Sequence, residues 1–177
     1  MNIGIVGCGL IGKKRANAIK GSHKLVSVCD INIERAHALA AGNEAIAVTD
    51  DYRVLCEDAK VDIVVVATLN NQLAPITLYA VQHGKHVIVE KPGGISSKEL
   101  LPIIETIAGT DLKVKVGFNH RYHPALLKAK ELFDSGVCGP IMFIRGRYGH
   151  GGRVGYEKEW RSDVTLSGGG ETMDQGV

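Results

Sequence analysis

The chain of 177 residues is 45% hydrophobic, enough for one well-buried domain and part of another. Its 21 basic and 19 acidic residues are mixed along the chain and give a formal net charge of +2. That balance carries no electrostatic footprint for nucleic acid or an anionic membrane, so neither is expected as a partner.

The chain opens with Ile3, Ile5 and Val6, an apolar run suited to a buried parallel strand, which leads straight into Gly7-x-Gly9-x-x-Gly12. At this spacing Gly7 permits a tight turn, Gly9 lets backbone approach a pyrophosphate, and Gly12 lets the next helix pack close to the strand. The helix starts near Leu10 and Ile11, with its first N–H groups toward the phosphates, and stops at Gly21. Lys13-Lys14-Arg15 reads as a solvated face of it. A second strand, with Leu25, Val26 and Val28, ends at Asp30, close to the roughly 20-residue offset at which a carboxylate accepts from the adenosine ribose hydroxyls. Asp30 can equally cap the next helix, and both roles can hold at once. A carboxylate there repels a 2′-phosphate, so NAD is expected over NADP, with Arg35 softening the preference.

Asn32 is positioned to cap a helix that buries Ile33, Ala36, Leu39 and Ala40 and stops at Gly42. Residues 45–48 form a short third strand, Asp50 or Asp51 caps a brief helix with Val54 and Leu55, and the β-branched run 61–67 reads as a central strand buried on both faces. A helix over 73–82 closes at Gly84, a strand covers 86–90, Ser96 or Ser97 caps a helix through Ala108, and Val114, Val116 and Phe118 alternate as a sixth strand. Six strands alternating with helices make an α/β, Rossmann-type doubly wound parallel sheet over residues 1–120. From Pro124 the pattern changes. A helix over 125–133 ends at Gly136, and 140–148 alternates as a strand with Met142 and Ile144 on one side and Phe143, Arg145 and Arg147 on the other. Residues 121–177 are thus expected to begin an α+β second domain, left incomplete, with a glycine-rich segment over 146–176.

The four cysteines, Cys8, Cys29, Cys56 and Cys138, form no Cys-x-x-Cys pair, which argues against zinc or a disulfide framework and for reduced, buried thiols. The first strand leaves no room for a signal sequence and no apolar run is long enough to span a bilayer, so a cytoplasmic location is expected. His120, His123 and His150 have no second ligand at metal spacing, and no metal site is expected.

The crevice of such a sheet lies at the carboxyl ends of its strands, where Thr68-Leu69-Asn70-Asn71, Glu90-Lys91-Pro92 and Asn119-His120-Arg121-Tyr122-His123-Pro124 fall. Lys91, held between a strand and a proline, suits a side chain that must point accurately. Beside a cationic oxidised nicotinamide its proton is easier to lose, so it can orient or deprotonate a hydroxyl. A surface lysine paired with Glu90 is the other reading.

Together these motifs resemble the Gfo/Idh/MocA family of NAD(P)-dependent sugar oxidoreductases. The resemblance rests on Gly7-Cys8-Gly9-Leu10-Ile11-Gly12, on Gly84-Lys85-His86-Val87 leading into Glu90-Lys91-Pro92, on Asn119-x-Arg121-x-x-Pro124, and on Gly168-Gly169-Gly170-x-x-x-Asp174-x-Gly176. It implies that Lys91 acts at the substrate with Asp174 and with a histidine expected just past Val177. It also implies that Asn119 and Arg121 lie beside the nicotinamide or pyrophosphate and that Trp160-Arg161 reaches back to the cofactor. Thr68, Asn70 and Glu90 join the cofactor-binding set as strand-end residues. Asn119 satisfying a strand end and Trp160 packing in a core are the alternatives. Leu69 stands where the family commonly has proline, and Leu73 where a histidine often follows. The implied activity is hydride transfer between NAD, or alternatively NADP, and a secondary hydroxyl of a sugar, cyclitol or sugar nucleotide. Arg147, Arg153, Lys158 and Arg161 lean toward an anionic substrate. A non-catalytic dinucleotide-binding module and a glycosidase that uses NAD for transient oxidation are the competing readings. The full-length protein is expected to be a homo-oligomer, and this chain by itself to be inactive.

Overall fold

Six short apolar segments form the sheet: β1 (Asn2–Val6), β2 (Lys24–Cys29), β3 (Ala47–Thr49), β4 (Ile63–Val66), β5 (His86–Val89) and β6 (Val114–Val116). In the computed structural model, which describes residues 1–147, 149, 154–170, 173, 175 and 176, they pair in parallel in the order β3-β2-β1-β4-β5-β6. Parallel neighbours require crossovers, and these are helices: α1 (Leu10–Ala18), α2 (Ile33–Ala40), α3 (Tyr52–Glu57), α4 (Asn70–Gln82) and α5 (Ser97–Ile107). The Rossmann-type expectation is met.

Strand order reverses between β1 and β4, the kind of point at which ligands bind in open α/β sheets. The register aligns the carboxyl ends there. Val6 pairs with both Cys29 and Val66, Val66 with Val89, and Val89 with Val116. Gly7, Asp30, Ala67, Glu90 and Gly117 therefore all emerge along one edge. Beneath that edge Val64, Val66, Leu55, Leu73, Val87 and Val89 are buried in one cluster, consistent with a central strand covered on both faces.

Local boundaries move for identifiable reasons. The third strand lies two residues further on than its apolar residues suggest, because Asp30 donates its N–H to Thr49 O and so sets the register. α4 begins at Asn70, ahead of the apolar periodicity, and Asn32 heads α2 without a side-chain cap: the carboxylate of Asp30 accepts the Asn32 N–H instead, at 2.9 Å.

Beyond β6, α6 (Pro124–Asp134) has no buried residue, and Leu126, Leu127, Leu132 and Phe133 are exposed along it. The strand expected over 140–148 is not formed. Residues 141–147 have no regular structure, Met142 is 92% exposed, and Tyr148 lies outside the described residues. An alternating run becomes a strand only beside a ladder that satisfies its backbone groups, and no described strand lies next to this one. The chain then returns to the sheet domain through 3₁₀ turns at Tyr156–Lys158 and Trp160–Ser162 and the short helix α7 (Val164–Ser167). Asn70 donates its side-chain amide to Ser167 O at 2.9 Å, and Gly168, at φ +81°, sits so close that a Cβ would lie 2.5 Å from the Ile95 side chain. No helix among the described residues is long and apolar enough to cross a membrane.

Candidate functional site

A cleft of about 1380 Å³ opens at the reversal point, walled by the residues that follow β1, β2, β4 and β5 and by the returning turn at Tyr156–Arg161. Its floor is the glycine turn, and the three glycines do different things. At Gly7 (φ +96°) a Cβ would lie 2.4 Å from Ala67 O, so only glycine lets the ends of β1 and β4 pass this closely. At Gly12 a Cβ would lie 1.9 Å from Gly7 O, which fixes how tightly α1 seats on the strand. At Gly9, a cleft-lining residue, a Cβ would meet nothing within 4 Å, so the space it would occupy belongs to the cleft. Gly9 heads α1 with no side chain to cap it, and the first turn has no acidic residue, leaving the uncapped N–H groups near Leu10 and Ile11 as an electropositive anion cradle.

Asp30 stands at the next strand end, 8% exposed. Its Oδ2 accepts the Cys8 N–H at 2.8 Å and its Oδ1 the Asn32 N–H, so it ties the glycine turn to β2 while each oxygen keeps a lone pair for a hydroxyl donor. Arg35 lines the same cleft. Cys8 and Cys29, both buried beside Asp30, have their thiols pushed up to about 12, chiefly by burial, with the carboxylate adding to the effect. They are neutral packing groups at physiological pH.

Lys91, Thr68, Asn119, Arg121, Trp160 and Arg161 also line the cleft. Arg161 stacks its guanidinium 4.6 Å from the centre of the Trp160 ring and reaches Glu159 at 3.3 Å, which holds this turn in shape. The structure thus brings together most of the residues singled out in the sequence, and places three elsewhere. Gly12 lies beneath the turn, Asn70 is buried against Ser167, and Glu90 pairs with Arg15. Asp174 lies outside the described residues. Asn71, His120, Tyr156 and Gln175 line the cleft and were not selected from sequence. The first two sit within strand-end stretches that pointed here, whereas Tyr156 and Gln175 lie in glycine-rich sequence without periodicity. Asn71 adds a test of fit: its Oδ1 is buried in the wall with no hydrogen-bond partner among the described residues, an acceptor suited to a ligand hydroxyl or amide. An anion cradle, an open space above Gly9, a carboxylate at the second strand end and an unsatisfied acceptor together suit a dinucleotide. Among the described residues no three His, Cys, Asp or Glu side chains group to hold a metal ion.

The profile of Gfo/Idh/MocA, an oxidoreductase family with an NAD-binding Rossmann fold, matches residues 1–118. The chain belongs to this family. Inositol 2-dehydrogenase 2 of Saccharopolyspora erythraea is a relative 34% identical over 157 residues, covering 86% of this chain and 46% of the relative. An NAD-binding oxidoreductase from Klebsiella pneumoniae superposes with a TM-score of 0.79 at 26% identity, over 98% of this chain and 50% of that one. The myo-inositol dehydrogenase of Lactobacillus casei, solved with NAD(H) and myo-inositol, gives a TM-score of 0.72 at 25% identity, over 78% of this chain and 42% of that one. This chain therefore spans about half the length of the relatives it matches.

Proposed function

We propose that the cleft binds NAD and that the chain provides the cofactor-binding part of a dehydrogenase acting on a secondary hydroxyl of a cyclitol or sugar. The observation that carries this reading is the open cradle above Gly9, bounded by the α1 N-terminus on one side and Asp30 on the other. NAD, when bound, supplies the hydride acceptor. The backbone at Gly9, Leu10 and Ile11 holds the pyrophosphate, Asp30 accepts from the ribose hydroxyls, and Thr68, Asn71, Asn119, Arg121, Trp160 and Arg161 enclose the rest. Lys91 orients the substrate hydroxyl and takes its proton, with Asp174 as its partner by family resemblance. Residues 1–120 form the dinucleotide-binding domain and 121–177 the start of a second. The similarity to inositol dehydrogenases supports a small polyol substrate, the exposed apolar face of α6 supports assembly of a longer protein into a homo-oligomer, and three buried free thiols support a reducing, cytoplasmic setting.

Calorimetric titration of the chain with NAD tests the reading, with saturable one-to-one binding as the expected result. Absence of any NAD binding by the folded protein overturns it. In a chain extended to the length of its relatives, NADH accumulation from myo-inositol or another cyclitol or sugar is expected, whereas a glycosidase using transient oxidation would give none.

A further inference from the structure

One ion pair joins two segments that border the cleft and packs against a third. Arg15 on α1 forms a salt bridge with Glu90, which follows β5 and immediately precedes Lys91. The pair is partly buried, with 33% of the Arg15 side chain and 14% of the Glu90 side chain exposed. It also touches the end of β6. A Cβ placed on Gly117 would lie 3.3 Å from Glu90 Oε2 and 3.5 Å from Arg15 Nη2, so glycine there lets the β6 end close over the pair on its way to Asn119. The backbone at Glu90 is fixed independently, its N–H donating to Val66 O at 2.9 Å and the Gly93 N–H returning to Glu90 O at 3.0 Å.

Consecutive residues leaving a strand point to opposite sides. Lys91 lines the cleft, whereas Glu90 does not and its carboxylate is paired with the Arg15 guanidinium. We infer that Arg15 is a positioning residue for Lys91: by holding Glu90 below the strand end it keeps that carboxylate away from the Lys91 ammonium and locks Lys91 in its cleft-facing orientation. Resting on the proposed role of Lys91, this inference goes beyond it by assigning a function to a helix residue that does not line the cleft. Because α1 also presents its N-terminus to the cleft, the pair links the phosphate cradle mechanically to the Lys91 loop. Loss of Arg15 leaves a largely buried carboxylate without its cation, and the neighbouring ammonium is the nearest compensating charge along the chain. A carboxylate beside an ammonium favours the protonated form and so lowers the fraction of reactive amine.

The test is peptide-resolved acylation of Lys91 in the folded chain at a fixed pH between 8 and 9, a range set by roughly one to two pH units below the usual lysine value. Arg15→Gln is expected to slow labelling of Lys91 by about tenfold or more, the change that a close opposite charge produces. Arg15→Lys, which keeps the charge, restores most of the rate, and Arg15→Gln with Glu90→Gln restores it by removing the carboxylate. Every other charged group lining the cleft, from Asp30 to Arg161, is retained in these variants. A merely structural ion pair would lower thermal stability in Arg15→Gln and leave Lys91 labelling unchanged, and that result overturns the inference. If Arg15→Gln does not fold, Glu90→Gln alone is decisive: the inference requires Lys91 labelling at or above the wild-type rate, and slowing overturns it. Protection of Lys91 by NAD in the wild-type chain is read separately. Its absence removes Lys91 from the cofactor site without bearing on the effect of Arg15, so the two failures are distinguishable.

Discussion

At the residue scale, the glycine turn separates folding from binding within six residues of sequence. Gly12 has no room for a side chain, so Gly12→Ala is expected to destabilise the fold by about 1–3 kcal/mol or more through overpacking, measured by denaturant unfolding. Gly9 has open space and an ordinary negative φ, so Gly9→Ala is expected to leave stability within roughly 0.5 kcal/mol while weakening NAD binding, since its methyl group enters the cradle. Equal NAD affinity in Gly9→Ala and wild type would place the pyrophosphate elsewhere. Asp30 carries a separate prediction. Asp30→Ala should weaken NAD binding by about 1–3 kcal/mol and narrow the margin over NADP, because it removes both an acceptor for the ribose hydroxyls and a charge opposed to a 2′-phosphate. Tighter NADP than NAD binding by the wild-type protein would contradict that assignment. These positions were legible because glycines at fixed spacing and an acid at a fixed offset are dictated by backbone geometry. Asn71 was not singled out, because one asparagine beside another in sequence does not show which amide is spent on Ser167 and which faces the cleft.

At the element scale, the longer strands and crossover helices of the sheet could be read from period and from apolar runs, and the three-residue β3 and β6 from their place in the alternation of strand and helix. Residues 140–147 show the converse: a clear alternation without an adjacent ladder among the described residues does not become a strand. The return segment was opaque for a different reason. Its elements are 3₁₀ turns and a four-residue helix, too short to display a period, and its attachments include an amide-to-carbonyl hydrogen bond from Asn70 and a glycine packed on Ile95. Side-chain tethers of this kind also join elements inside the sheet domain. Lys85, buried at the start of β5, donates to Asp58 O at 2.7 Å and to Val61 O at 2.8 Å, closing the loop between α3 and β4. Lys85→Met is expected to cost about 2–3 kcal/mol, because two carbonyls lose a charged donor, while NAD affinity stays unchanged in the folded protein. A loss below ~0.5 kcal/mol by urea unfolding would show that the loop is held by other contacts.

At the scale of the whole molecule, three neutral thiols buried around the sheet make stability sensitive to alkali. Burial raises Cys8, Cys29 and Cys56 from 9.0 to about 12, so each is a weaker acid folded than unfolded. Their contribution is complete below pH 9.0 and is lost as pH rises toward about 12, because the unfolded chain releases the three protons first. Urea unfolding at increasing pH should show stability falling above pH 9.0, and less steeply in Cys8→Ala, where one of the groups is gone. Function divides along a different line. Every group proposed to hold NAD, from Gly9 to Arg161, lies among the described residues and lines one cleft, so the chain of 177 residues is expected to bind the cofactor. In the proposed mechanism turnover uses a second acid–base group and a wall that fixes the substrate over Lys91, and this chain covers 46% of its inositol dehydrogenase relative. Absence of one such group costs about 10²–10⁴-fold, and loss of positioning multiplies that deficit. NAD affinity and NADH production across a panel of cyclitols and sugars, measured on this chain and on one extended to the length of its relatives, should therefore agree in the first quantity and diverge by at least ~10²-fold in the second. Equal turnover by the two would mean that the chemistry is complete within residues 1–177 and that the substrate is held by groups already in this cleft.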